Sequence, residues 1–184
     1  MKNKPENEKF LPNIFGGFSL IEMIVYIAIM TIIVTTFIQS FVVILKSNKN
    51  AFADMNIRNS GYGAMQTMIG EIRKGSTLDI ADSNFASGTA LINEVDASST
   101  LTVVKFSVDS TSKVLNFYSG ATSTALSLIG PLTSNDTQVS QLIFTPINTG
   151  STTALRIQLN MQTTIDNRLR SEWFYSTVVL RRSY

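Results

Sequence analysis

The chain has 184 residues, 44% of them hydrophobic and 15% charged, with a formal net charge of +2. Cys and His are both absent, which excludes a disulfide staple, the usual transition-metal sites and His- or Cys-based catalytic triads. A charge so close to balance gives no argument for nucleic acid or a strongly acidic surface as partner.

Residues 1–17 are largely polar, with Lys2, Lys4 and Lys9 set against Glu6 and Glu8, and they end in Gly16-Gly17. Pro5 and Pro12 discourage helix there. An apolar run follows, Phe18 to Leu45, whose only charged residue is Glu22 and which contains neither Pro nor Gly. As a helix, at about 1.5 Å per residue, that run is roughly 42 Å long, more than the ~30 Å hydrocarbon core of a bilayer. Its Thr, Gln and Ser interruptions carry no charge. In lipid a helix satisfies its own backbone hydrogen bonds, so helix is expected despite the many β-branched residues. An unpaired carboxylate near the start of such a run costs a few kcal/mol in hydrocarbon. The small-residue site also precedes the apolar stretch, whereas a secretory signal peptide is cut after it.

The stretch Gly17-Phe18-Ser19-Leu20-Ile21-Glu22 and the apolar helix it opens resemble the type IV pilin and pseudopilin superfamily. The resemblance implies that residues 1–17 are a leader removed by a prepilin peptidase between Gly17 and Phe18. Phe18 is then the residue whose new amine is methylated, and Glu22, fifth after the cut, is the acidic residue used in subunit assembly. The implied partners are the peptidase, other pilin or pseudopilin subunits, an inner-membrane assembly platform and, before assembly, membrane lipid. The implied location is a single-pass inner-membrane protein with its C-terminal domain outside the cytoplasm, later part of a pilus or pseudopilus. Orientation rests on the resemblance, because three basic residues flank the span on either side: Lys2, Lys4 and Lys9 against Lys46, Lys49 and Arg58. The family's frequent C-terminal disulfide loop is impossible here.

Residues 46–75 read as an amphipathic continuation of the helix. Ala51, Phe52 and Met55 resume helical spacing, and Met65, Met68, Ile69 and Ile72 form one stripe at i, i+3, i+4, i+7. The stripe suits packing under a sheet of the same chain better than a promiscuous Met-lined groove. Gly61 and Gly63 weaken the helix by about 1 kcal/mol each relative to Ala, and mark a kink or the approach of a neighbouring helix. Gly75, after Arg73-Lys74, is a suitable stop. Ala64–Gly75 is similar to the helix end of J-type pseudopilins and minor pilins, and Val178–Arg182 to their last strand.

Residues 76–184 are expected to form one β-rich domain. Ser, Thr, Asn and Asp dominate residues 76–100, which read as loop with one short strand at Leu91–Val95. Strands are expected at Leu101–Val108, Val114–Tyr118, Ala125–Ile129, Val139–Thr145, Ala154–Met161 and Trp173–Leu180. Asp109-Ser110-Thr111-Ser112 is expected to turn a hairpin, and Gly130-Pro131 and Asn148-Thr149-Gly150 to punctuate the remainder. The fold class is therefore α+β, a long N-terminal helix packed on an antiparallel sheet.

Chemistry-bearing constellations are sparse. Asp79 and Asp82 with Asn84 could be imagined as calcium ligands, although a solvated loop suits them better. Arg168, Arg170, Arg181 and Arg182 form the one basic concentration, which could touch DNA phosphates but reads as solvated strand edge. Trp173, Phe174 and Tyr175 beside it suit strand core. No enzymatic activity, cofactor or metal is expected. The implied function is that of a structural subunit, a minor pilin or pseudopilin of a pilus, a type II secretion system or a competence pseudopilus. The rival reading is a membrane-anchored extracytoplasmic binding domain that never polymerises.

Overall fold

A computed structural model describes residues 17, 19–95, 100–134, 136–148 and 153–181. The chain divides into two units, Met1–Lys46 and Ser47–Tyr184. The helix α1 (Leu20–Lys74) supplies residues to both.

In the second unit α1 buries a stripe of Ala53, Ile57, Gly61, Ala64, Met65, Met68 and Ile72. Three of the four residues expected in the apolar stripe are in it, and Ile69 packs against the same core from a half-buried position. Toward the N-terminus the stripe differs from expectation. Ala51, Phe52 and Met55 are exposed, and the buried positions are Ala53 and Ile57. Ala53, Ile57, Gly61 and Met65 follow one another at i, i+4 spacing, so the buried row continues the Met stripe and leaves Phe52 and Met55 off it.

Eight strands follow: β1 (Gly75–Asn84), β2 (Thr89–Val95), β3 (Leu101–Val108), β4 (Leu115–Gly120), β5 (Leu126–Pro131), β6 (Gln138–Asn148), β7 (Thr153–Ile165) and β8 (Arg168–Val179). They make two antiparallel sheets, a five-stranded meander β1 to β5 and a three-stranded β6-β7-β8. The α+β class holds, with two sheets in place of one. Both contribute to a single core with the second part of α1. Ile92, Val104, Phe106 and Leu115 come from the larger sheet, and Phe144, Leu155, Ile157, Leu159, Met161 and Phe174 from the smaller.

The segment read as loop at residues 76–90 is largely strand. β1 pairs with β2 from Gly75↔Glu94 to Asn84↔Thr89, with two irregularities in register. Polar side chains serve the backbone in this hairpin. Asp79 Oδ1 accepts from the amides of Ala81 (3.1 Å) and Asp82 (3.2 Å), and Ser83 Oγ accepts from the amide of Leu91 (2.9 Å). Composition concealed the strand because its polar residues replace ladder bonds with side-chain bonds. Gly75 does end α1, but as the first residue of β1. Gly130 and Pro131 likewise close β5 and are not a separate turn.

The hairpin expected at residues 109–112 is present. Asp109 Oδ1 accepts from the amides of Thr111 (2.7 Å) and Ser112 (2.9 Å), and the Asp109 amide donates to the Val114 carbonyl (2.9 Å). A second tight turn went unread in the sequence. Asp166 (φ 46°) and Asn167 (φ 61°) join β7 to β8, with Ile165 paired to Arg168. Asp and Asn tolerate the left-handed region that a two-residue hairpin turn demands. That turn carries both strands well beyond their expected ends.

Candidate functional site

The site is the head of α1. Gly17 is exposed, and no described atom lies within 4 Å of where a Cβ would stand, so packing gives no reason for glycine there. Phe18 and residues 1–16 lie outside the described residues. Ser19 caps the helix. Its carbonyl accepts from the amides of Glu22 (3.0 Å) and Met23 (3.2 Å), and its Oγ is 3.3 Å from the Glu22 amide. Ser19-Leu20-Ile21-Glu22 thus has the S-x-x-E spacing of a capping box, a signal that sequence reading passed over. It supplies a local reason for Ser19, whose Oγ faces the Glu22 amide. The Glu22 side chain is exposed, and among the described residues no ion pair forms to it.

Beyond the cap, every residue of α1 from Leu20 to Lys49 is exposed, including Ile21, Ile24, Ile27, Ile32, Phe37 and Phe41. Thr31, Thr35, Thr36 and Ser40 donate their hydroxyls to the carbonyls of Ile27, Thr31, Ile32 and Thr36, at 2.7–3.0 Å. Their polarity is satisfied within the helix, so the segment presents an almost wholly apolar exterior. It is long and apolar enough to cross a membrane, and none of that window is buried.

Gly61 has a different neighbour from the helix that was expected. A Cβ at Gly61 would stand 2.3 Å from the Phe174 ring of β8, and Tyr62 meets the same ring edge-on at 5.2 Å. The α1 assignment runs through this point without a break. Ion pairs from Arg58 to Glu172 (3.2 Å) and from Arg170 to Asp54 (3.9 Å) join α1 to β8 alongside the contact.

The remaining candidates disperse. Arg168 and Arg170 lie at the start of β8 and Arg181 beyond its end, some 40 Å apart at about 3.3 Å per strand residue. Arg182 lies outside the described residues. Arg181 therefore shares no patch with Arg168 and Arg170. Of the three adjacent aromatics only Phe174 is core, while Trp173 and Tyr175 face outward because strand side chains alternate. Asp79 spends an oxygen on two backbone amides, and among the described residues no group of three acidic side chains is placed to hold a metal.

One electrostatic irregularity lies at the C-terminal end of α1. Burial pushes the Glu94 carboxyl above its ordinary range, and Glu71 adds repulsion that Lys74 partly offsets. Glu71 and Lys74 pair at 2.7 Å, while Glu94 Oε1 is buried with no partner among the described residues.

These features define a class: an α+β chain with one helix long and apolar enough to cross a membrane, leading into a two-sheet β domain. No protein-family model, no curated protein and no solved structure matches the chain.

Proposed function

We propose that the chain is a minor subunit of a type IV pilus, type II secretion pseudopilus or competence pseudopilus, assembled through α1 after cleavage between Gly17 and Phe18. The observation that carries this reading is an apolar helix segment left unburied by its own chain and headed by Gly-Phe-Ser-Leu-Ile-Glu with a single carboxylate. Such a surface needs a cover. Lipid provides one before assembly, and the same segments of neighbouring subunits provide another afterwards. Cleavage frees an amine on Phe18, four residues before Glu22. Pairing that amine with Glu22 of an adjacent subunit neutralises both charges and rewards helix-on-helix packing. Peptidase and assembly platform are the partners this requires. The β domain carries no catalytic role.

The test compares Glu22→Ala with Glu22→Gln. Glutamine keeps the capping-box geometry but not the charge. Losing one member of a buried pair typically costs about 3–5 kcal/mol, so both variants should be cleaved, stay in the membrane and be missing from sheared filaments. Wild-type chain should be present there in trace amounts beside another pilin. Normal incorporation of Glu22→Gln, with Glu22→Ala defective, would assign Glu22 to helix capping and end the pairing mechanism. An intact mass beginning at Met1, with the peptidase present, would overturn the reading altogether.

A further inference from the structure

The apolar run at the head of α1 is longer than the hydrocarbon it would cross, so a bilayer takes one part of it and leaves another. From Leu20 to Leu45 the helix measures about 39 Å, against ~30 Å of hydrocarbon. If hydrocarbon covers residues 20–38, then Phe41, Val42, Val43, Ile44 and Leu45 are left outside. If it covers residues 27–45, then Leu20, Ile21, Met23, Ile24 and Val25 are left outside. Each placement strands five apolar residues, so hydrophobicity does not choose between them.

On the reading that lipid covers this segment before assembly, we infer that the hydrocarbon takes residues 27–45. Tyr26 and Lys46 then sit in opposite headgroup layers, and the Glu22 carboxylate stands outside the hydrocarbon. The other placement would hold Glu22 inside, where an unpaired charge costs a few kcal/mol. Among the described residues no ion pair forms to offset that cost. With residues 27–45 in hydrocarbon, Glu22 lies four residues before Tyr26, about 6 Å along the axis. A headgroup layer is roughly 5–8 Å deep, which is enough to hold it. Both ends of this placement are marked by suitable anchors. Tyr26 and Lys46 are exposed, and a phenol ring and a long-stemmed ammonium both settle at membrane interfaces. The 19 residues between them measure about 28 Å. The other placement ends at Ile38-Gln39-Ser40, where no Tyr, Trp or cation stands. Inside residues 27–45 the polar side chains are uncharged, and four of the five, Thr31, Thr35, Thr36 and Ser40, donate hydroxyls to the helix's own carbonyls. Glu22 thus keeps its charge in the membrane and is buried only when neighbouring subunits enclose it.

The chain has no cysteine, so a single introduced cysteine carries a single nitroxide label. The full chain, one copy per nanodisc of phosphatidylcholine and phosphatidylglycerol, is labelled through Met23→Cys or Phe41→Cys, both at exposed positions. Depth is read from relaxation of the label by oxygen, which partitions into hydrocarbon, against a water-soluble nickel chelate. The label at position 41 is expected about 7 Å inside the hydrocarbon edge, and the label at position 23 about 4 Å outside it. Adding Glu22→Gln should let the second label sink by up to one helical turn, about 5 Å. An unchanged depth in that variant would overturn the part assigned to the carboxylate. Reversed depths would overturn the inference and leave the membrane reading standing. Both labels in hydrocarbon would do the same, since the helix would then tilt to bury the whole run. Neither label in hydrocarbon would overturn the membrane reading and the inference together.

Discussion

The two stretches of α1 on either side of Lys46 invite comparison, because they are one helix with opposite solutions to the same problem. The first, from Leu20, is the more apolar, and its side chains are exposed throughout. The second carries Lys49, Asp54, Arg58, Glu71, Arg73 and Lys74, yet it buries seven residues in the β domain. Total hydrophobicity therefore predicts burial the wrong way round. What decides burial inside the chain is a stripe on one face, which a sheet can cover. A helix apolar on every side needs a surrounding medium or a ring of other helices.

The sharpest way to break this comparison is to truncate one isoleucine in each stretch. Ile72 is 0% exposed, and Ile72→Ala should destabilise the β domain by about 2–5 kcal/mol, as cavity-forming core changes do. Ile32 is 67% exposed, and Ile32→Ala should leave that stability unchanged. Denaturation of nanodisc-embedded protein followed by the fluorescence of Trp173, the only tryptophan, reads the difference. Equal losses would mean that the first stretch also supports the domain.

The two glycines near the middle of the buried stretch give a smaller contrast of opposite sign. Gly61→Ala drives a methyl into the Phe174 ring. Overpacking of this sort costs about 1–3 kcal/mol, against a helix-propensity gain of at most about 1 kcal/mol. A net loss is expected. Gly63 has nothing within 4 Å, so Gly63→Ala should raise stability by up to about 1 kcal/mol. If both variants gain stability, the ring does not occupy the Gly61 notch.

The smallest expected effect is electrostatic. Glu94 has a folded-state pKa above its ordinary 4.5 because of burial first and Glu71 second. The folded state therefore holds more protons than the unfolded one just above pH 4.5, and stability declines as pH rises through that window. Glu94→Gln should remove the decline and make the domain modestly more stable at neutral pH. Asp109 acts in the other direction and at lower pH. The Ser112 and Thr111 amides hold its carboxyl below 3.8, so its contribution is present above 3.8 and is lost as pH falls below that value. Stability measured from pH 3 to 8 in the wild type and Glu94→Gln separates the two windows.

Much of the fold was legible in residue order. The helix, its end before Gly75, the hairpin at Asp109 and seven of the eight strands were legible there. β1 was not, because Asp79 and Ser83 look like loop residues until their side chains are seen bonding to backbone amides. The reach of β7 and β8 was underestimated because Asp166-Asn167 was not recognised as a two-residue turn. At the head of the helix, Gly17, Phe18 and Glu22 came from a motif, and the capping role of Ser19 was readable from the same four residues.

By itself, then, the sequence determined a helix, the kind of surface its first stretch presents, and a β domain after it, since these depend on local periodicity and on the polarity of neighbouring residues. Tertiary structure alone decided that Gly61 receives a phenyl ring, that Arg168 and Arg170 lie at one end of β8 with Arg181 past the other, and that Trp173 and Tyr175 share a face with Gln158 and Asn160. Those facts depend on strand register and on residues more than a hundred positions apart. Local propensity carries no record of such distant pairings, which packing of the two sheets against α1 selects.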